Sequence, residues 1–564
     1  MCCNGGDTEH GHRDHGDHGD DVQNDRPTGT VLTRFDRPTL SAEDVSVDVV
    51  TSGPRQAVLS RIARGLTSEW LRRDTGDADL RLLSLRVLGE DAKDRSAGAE
   101  RFVAQVYDYT RNRTLCVCGR IDQPDAASVE ERATQPLPND EEFAAAVDIL
   151  ANHSELSGAI RSGELVAYPA MPPLVQVETP DGRVERTLAV GLVARGERAE
   201  HRLVAVNMIR REVLRDVEGL GLAHVNADNC GPTASTNCAD TGSAGRVSVV
   251  VTKGGTTLWQ FDAIRPAASS GTNGSGIELR GVRYRGRQVL YQAHVPILNI
   301  EYFNDGIQGG CGPTYRDWQD GETCFQANGT DVAPGFRLCP SPAKTIIESG
   351  TDAGNFRGVA IYVQGQEVVL VSELSAGWYR YISMWRFHSD GTIRPRFGFA
   401  AANNPCTCKD HHHHVYWRLD FDIRTASNNV VEEYNNPILV GSSNWHTKRY
   451  EIRRPRDASR NRHWRVRNLQ TNEGYRLVPG ANDGAADAYG VGDFWALRYH
   501  GSPEIDDGQG FTTNPALSRA HIDRFVNGEV VEDRDVVLWY AAHFRHTPGH
   551  AHQLLGPDLK PFNW

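Results

Sequence analysis

From Arg246 onward the chain repeats short runs rich in β-branched and aromatic residues: RVSVVV, TLWQFDAI, IELRGVRY, RQVLYQAHVPILNIEY, GVAIYV, EVVLVSEL, YRYISMWRFH, HVYWRLDFDI, HWRVRNL, FWALRYH and DVVLWYAAHF. Helical periods almost vanish over this stretch of about 330 residues, and strands joined by hairpins need two packed sheets to bury their inner faces. The reading is a mainly β chain whose large antiparallel β-sandwich spans residues 229–564.

What precedes the sandwich reads differently. Residues 1–35 repeat His, Gly and Asp without apolar periodicity, a composition too poor in hydrophobic surface to offset the entropy of ordering. A disordered tail is expected, with His10, His12, His15, His18, Cys2 and Cys3 as adventitious metal binders. The run PRQAVLSRIARGLTSEWL from Pro54 has helical spacing, LRLLSLRVL and RFVAQVYDY read as strands, and NDEEFAAAVDILANH begins with the acidic turn that a helix N-terminus favours. These make a first small α+β domain over 36–165. RTLAVGLVA and HRLVAVNMIRREVL, as hairpin strands, place a second over 166–228.

A formal net charge of -12 with no cluster of Lys and Arg argues against a nucleic-acid partner. No apolar run approaches the roughly 18–20 residues that span a bilayer, so no membrane partner is expected. The first residues have neither a basic nor an apolar leader region, which makes a cytoplasmic location the expectation. Cysteines close enough to pair (Cys230/Cys238, Cys311/Cys324/Cys339, Cys406/Cys408) leave the compartment open.

Chemistry enters at Asp410-His411-His412-His413-His414, at the head of the strand VYWRLDFD. Alternate side chains of a strand share a face, so His411 with His413, or His412 with His414, can reach one metal. The last apolar strand carries His543 and His546, followed by His550 and His552. Two neighbouring imidazoles and a distant third suit copper(II) with positions left open for water or dioxygen. The residues alone leave both registers open.

At this point the chain resembles the copper amine oxidases, from about residue 53 to Trp564. IELRGVRYRGRQVLYQAHVPILNIEYFND is similar to the start of that family's catalytic domain, WYRYISMWRFHSDGTI to the segment around its cofactor tyrosine, HHHHVYWRLDFDI to its His-x-His and Arg-Leu-Asp, and DRDVVLWYAAHFRHTP to its last copper strand. The resemblance implies that Tyr379, placed by Asp390-Gly391-Thr392-Ile393, is the precursor of topaquinone. It implies copper at His411 and His413, counted back from Arg418, and at His546, placed by Trp539. Asp317 of Tyr315-Arg316-Asp317 takes the part of catalytic base, Tyr315 lines the substrate path, and Tyr302 bonds the quinone oxygen. Asp420, Asp422 and Asp535 match a peripheral calcium-type site, and Cys324 with Cys339 a disulfide.

The implied activity is oxidation of a primary amine to aldehyde, ammonia and hydrogen peroxide by a homodimeric oxidoreductase, with a non-catalytic copper-binding or interaction protein on the same fold as the alternative. The amine condenses with the quinone carbonyl and the carboxylate removes the α-proton; burial should lift that carboxylate's pKa toward neutrality. The family's Asn-Tyr-Asp/Glu-Tyr is here Trp378-Tyr379-Arg380-Tyr381. An indole beside the ring is expected to press it toward the metal. Arg380 and Arg316 near the site are expected to disfavour polycations and leave monoamines as substrates.

Overall fold

The computed structural model describes residues 39–50, 55–66, 70–71, 75–88, 101–132, 135–175, 177–178, 184–194, 201–214, 222–223, 231–235, 238, 245–271, 273–302, 314–319, 321–403, 407, 410–501, 504–508, 515–547 and 554–564. The expected tail lies outside them.

Two large sheets carry the chain from Arg246 onward. The first runs, in order of pairing, Val45–Val49, Arg246–Lys253, Thr256–Ile264, Glu278–Tyr284, Arg287–Tyr302, His411–Phe421, Val536–His546, Phe494–Arg498 and Ile452–Arg454. The second runs Thr330–Ala333, Phe336–Cys339, Val359–Gln364, Glu367–Ala376, Tyr379–His388, Ile393–Ala401, Asp558–Phe562, Gly474–Val478, His463–Asn468, Asn429–Tyr434 and Trp445–Lys448. The expected mainly β architecture is present. Its pairings are antiparallel except Phe336–Cys339 with Val359–Gln364, which run parallel.

The strand His411–Phe421 is central to the first sheet, with Arg287–Tyr302 on one side and Val536–His546 on the other. Neighbours on both edges and packing on both faces bury all of its side chains but His412. Tyr379–His388 is equally central to the second sheet. Reactive side chains on such strands hold their directions because the pleat and the packed core fix them.

The N-terminal units are bounded differently from the expectation. Helix Arg55–Gly65 packs on a sheet of Leu80–Leu88, Arg101–Asp108, Arg113–Arg120 and Ser128–Arg132, burying Ile62 and Leu66 against Phe102, Val106 and Val117. Helix Asp140–Ala151, assigned from sequence to this first unit, packs instead on the next sheet, with Ile149 and Leu150 in one core with Leu188, Val190 and Leu192. A buried ion pair fastens it there: Arg186 Nε donates to Glu142 Oε1 at 2.6 Å and Nη2 to Oε2 at 2.6 Å. Helical spacing reveals that a face is buried, not what it is buried against. Val45–Val49, also assigned to the first unit, is the edge strand of the first large sheet.

Candidate active site

The pleat divides the four histidines. His411 and His413 point between the two large sheets, and the pairing of His411 with His546 brings the third imidazole to the same place. His411 Nε2 lies 3.0 Å from His546 Nδ1, and the His411 and His413 ring centres are 4.7 Å apart. Both ring nitrogens of buried His413 have no hydrogen-bond partner. Two orphaned nitrogens at zero exposure would cost several kcal/mol between them, on the order of 1–3 each, unless something binds them. Burial, followed by the neighbouring imidazoles of His411 and His546, holds the His413 pKa well below the usual imidazole value. The neutral, lone-pair-bearing form that a metal requires is therefore the resting form, and this donor set fits copper.

The second sheet supplies the phenol. Tyr379, at 1% exposure, reaches across with its hydroxyl 2.5 Å from His411 Nε2, and its ring meets the His413 ring edge-on at 5.2 Å. Two residues on, and so on the same face, Tyr381 stacks on it with ring centres 5.5 Å apart and planes 5° from parallel. The Tyr381 hydroxyl donates to Asp317 Oδ2 at 2.6 Å, while Asp317 Oδ1 accepts the Trp318 N–H at 3.0 Å. Burial pushes Asp317 up to about 7, against the lowering effect of these two bonds. Tyr381 enters the sequence reading only as the end of its motif, without a role, although its spacing from Tyr379 places both rings on one face.

The flanking residues depart from expectation. Arg380 alternates to the opposite face, where Nε and Nη2 bond Asp352 at 2.6 and 2.9 Å. Arg316 is likewise buried and paired with Asp507, with Nη2 to Oδ2 at 2.9 Å. Each guanidinium is neutralised by its own carboxylate, so neither sets a positive potential against polycations. Trp378 does not press on Tyr379: its indole sits edge-on against Tyr168 of the second small unit, with centroids 6.1 Å apart. Cys324 bonds Cys238, their Cα atoms 5.9 Å apart, and not Cys339, which is free and buried. Separation along the chain did not reveal which thiol the fold carries to Cys324.

Asp420, Asp422 and Asp535 each offer an oxygen within 4.8 Å of the others, a hard-donor group of the expected kind. Glu504, absent from the sequence reading, lies close to them; burial and the Asp420 and Asp535 charges push it up to about 8, with Arg418 acting in the opposite direction. The backbones of Tyr302 and Tyr315 stand opposite His411 and Ile300, but their side chains lie outside the described residues. So do His550, His552 and the cysteines Cys230, Cys311, Cys406 and Cys408. His412, His414 and His543 lie away from Tyr379, on the other face of the sheet.

Three imidazoles from one sheet, a phenol from the other and a buried carboxylate one stacked ring away form a donor set able to hold a metal next to a tyrosine. Comparison with known proteins shows what the chain is similar to. Residues 396–552 match the copper amine oxidase family, enzyme domain. The fold is that of the copper amine oxidases, in a divergent sequence. A copper-containing benzylamine oxidase from Hansenula polymorpha is similar over 90% of this chain and 96% of its own, at 12% identity and a TM-score of 0.60. A lysyl oxidase from Pichia pastoris is similar over 89% of each chain, at 12% identity and a TM-score of 0.52. No curated protein matches the sequence.

Proposed function

We propose that this protein is a copper-dependent primary-amine oxidase, a homodimeric oxidoreductase that yields aldehyde, ammonia and hydrogen peroxide. The observation that carries the reading is the Tyr379 hydroxyl on His411 Nε2, which also meets His546, with the Tyr379 ring against His413 and Asp317 one stacked ring away. Copper on the three imidazoles and a topaquinone made from Tyr379 would supply the electrophile and the two-electron sink that unmodified side chains lack.

The chain's own residues do the rest. Asp317 takes the α-proton of the amine; with its pKa near 7 it is ionised enough to accept and basic enough to pull. Tyr381 holds Oδ2 in place and packs flat on the Tyr379 ring, limiting the ring's tilt. The Arg380–Asp352 pair anchors the strand from behind, Arg380 Nη1 donating to the Tyr379 carbonyl at 2.8 Å. Asp420, Asp422 and Asp535 would hold Ca2+ away from the centre. With Arg380 and Arg316 neutralised, monoamines and diamines both remain substrates.

A second reading, copper binding without catalysis, is favoured by one distance, the 2.5 Å from the Tyr379 hydroxyl to His411 Nε2, because a phenol so placed can ligate the metal and stay unoxidised. One experiment separates the two. Apo-protein incubated in air with Cu(II) should develop a visible quinone band that phenylhydrazine shifts, and should release peroxide with a panel of amines. A colourless, copper-filled, hydrazine-silent protein would leave only the second reading.

A further inference from the structure

The opposite face of the histidine strand carries a second donor cluster. His412 and His414 of His411–Phe421, Glu301 of the neighbouring strand and Asp487 of the loop before Phe494 each offer one atom, all within 4.8 Å of one another. His412 Nδ1 is 3.2 Å from Asp487 Oδ2 and 3.7 Å from Glu301 Oε2, and His414 Nε2 is 3.8 Å from Asp487 Oδ2. Glu301 pairs directly with His412 across the sheet, so the β register itself brings this carboxylate to the imidazole.

His414 is the second, independent observation. It is 1% exposed, and its Nε2, directed into the cluster, is buried without a hydrogen-bond partner. Its other nitrogen, Nδ1, lies 2.9 Å from His543 Nδ1, and His543 Nε2 lies 3.0 Å from the Gly492 carbonyl. A carbonyl only accepts, so His543 Nε2 carries the proton and its Nδ1 accepts from His414 Nδ1–H. The His414 lone pair is thereby left on Nε2. Outer partners that fix a tautomer in this way accompany metal-ligating histidines. Asp487 is similarly prepared: Oδ1 accepts the Tyr489 and Gly490 N–H groups, which leaves Oδ2 for the cluster. A Cβ at Gly490 would lie 1.9 Å from His414 Nδ1, so the loop closes over the imidazole only with glycine there.

We propose that Glu301, His412, His414 and Asp487 form a second metal site, for a divalent cation of the zinc type, back to back with the Tyr379 centre. Two imidazoles and two carboxylates are a four-coordinate donor set that zinc accepts. The ion would tie the Asp487 loop and the Arg287–Tyr302 strand to the histidine strand, stiffening His411 and His413 from behind. This site does not depend on amine oxidation.

The test uses full-length protein with one equivalent of Cu(II) bound, then exposed to Zn(II) and desalted. A second metal, zinc, should remain, and it should remain when His10, His12, His15 and His18 are replaced by Ala. In His412→Ala/Asp487→Asn zinc retention should fall at least tenfold with copper unchanged. Cobalt(II) in place of zinc should give the intense visible absorption of four-coordinate cobalt in the wild type alone. Zinc lost with the tail histidines, zinc kept by the double variant, or zinc lost only together with copper would each overturn the proposal.

Discussion

The two faces of the strand His411–Phe421 make different uses of the same residue type. On one, His411 and His413 are at zero exposure and meet a phenol. On the other, His412 is partly exposed and meets Asp487 and Glu301. Three neutral imidazoles leave the full charge of a bound divalent ion in place, able to activate a phenol or dioxygen. Two carboxylates cancel that charge and suit an ion that only holds parts together. What the histidines meet, a phenol from the other sheet on one face and carboxylates from a neighbouring strand and a loop on the other, sets the difference.

Exchanging single residues breaks the comparison most sharply. His413→Ala should lose tight copper and His412→Ala should keep it, by metal analysis after desalting; the reverse result would move the centre to the other face. Tyr379→Phe should bind copper yet give no quinone band and no peroxide above background.

Asp317→Asn should keep copper and colour but lower kcat by about 10²–10⁴. Retention of more than a tenth of the wild-type rate would remove Asp317 as the base. In the wild type the rate should climb as pH rises through about 7, where Asp317 ionises. The sign for stability is opposite. Since the folded pKa lies above the ordinary 3.8, the native state holds the extra proton, so this group's contribution is fully present below about pH 4 and is lost as pH rises through 7. Urea unfolding of wild type and Asp317→Asn should show wild-type stability falling relative to the variant over that window, by on the order of a few kcal/mol; parallel curves would refute the burial argument.

Asp352→Asn strands the buried Arg380 guanidinium and should destabilise the fold by about 3–5 kcal/mol, read as a lowered urea midpoint. An unchanged midpoint would show that the pair is dispensable. The smallest effect is expected of Tyr381→Phe. Removing the hydroxyl that stabilises ionised Asp317 should move the pH profile to the alkaline side, with no more than about a tenfold loss at high pH. A profile that stays in place would mean that the Tyr381 bond does not govern the base.

Much of this was legible in the chain because strand alternation and helix periodicity are local properties. They placed His411 and His413 on one face and started a helix at Asp140. They do not specify partners. Helix Asp140–Ala151 packs on the second small sheet, Cys324 meets Cys238, and Arg380 turns to Asp352, each by a contact far apart in sequence. The raised pKa of Asp317 was anticipated from its chemistry; that Tyr381 would hold it required knowing where two loops and two sheets meet.

The indole next to the reactive ring belongs, in contact, to another part of the molecule. Trp378 leans on Tyr168, and Tyr168 lies across Gly191 so closely that a methyl group there would stand 2.2 Å from its ring. The turn that introduces Tyr379 thus takes part of its packing from the second small unit. A sandwich produced without that unit would expose an apolar indole beside the Tyr379 strand, so the surroundings of Tyr379 depend on a domain that supplies none of the imidazoles around it.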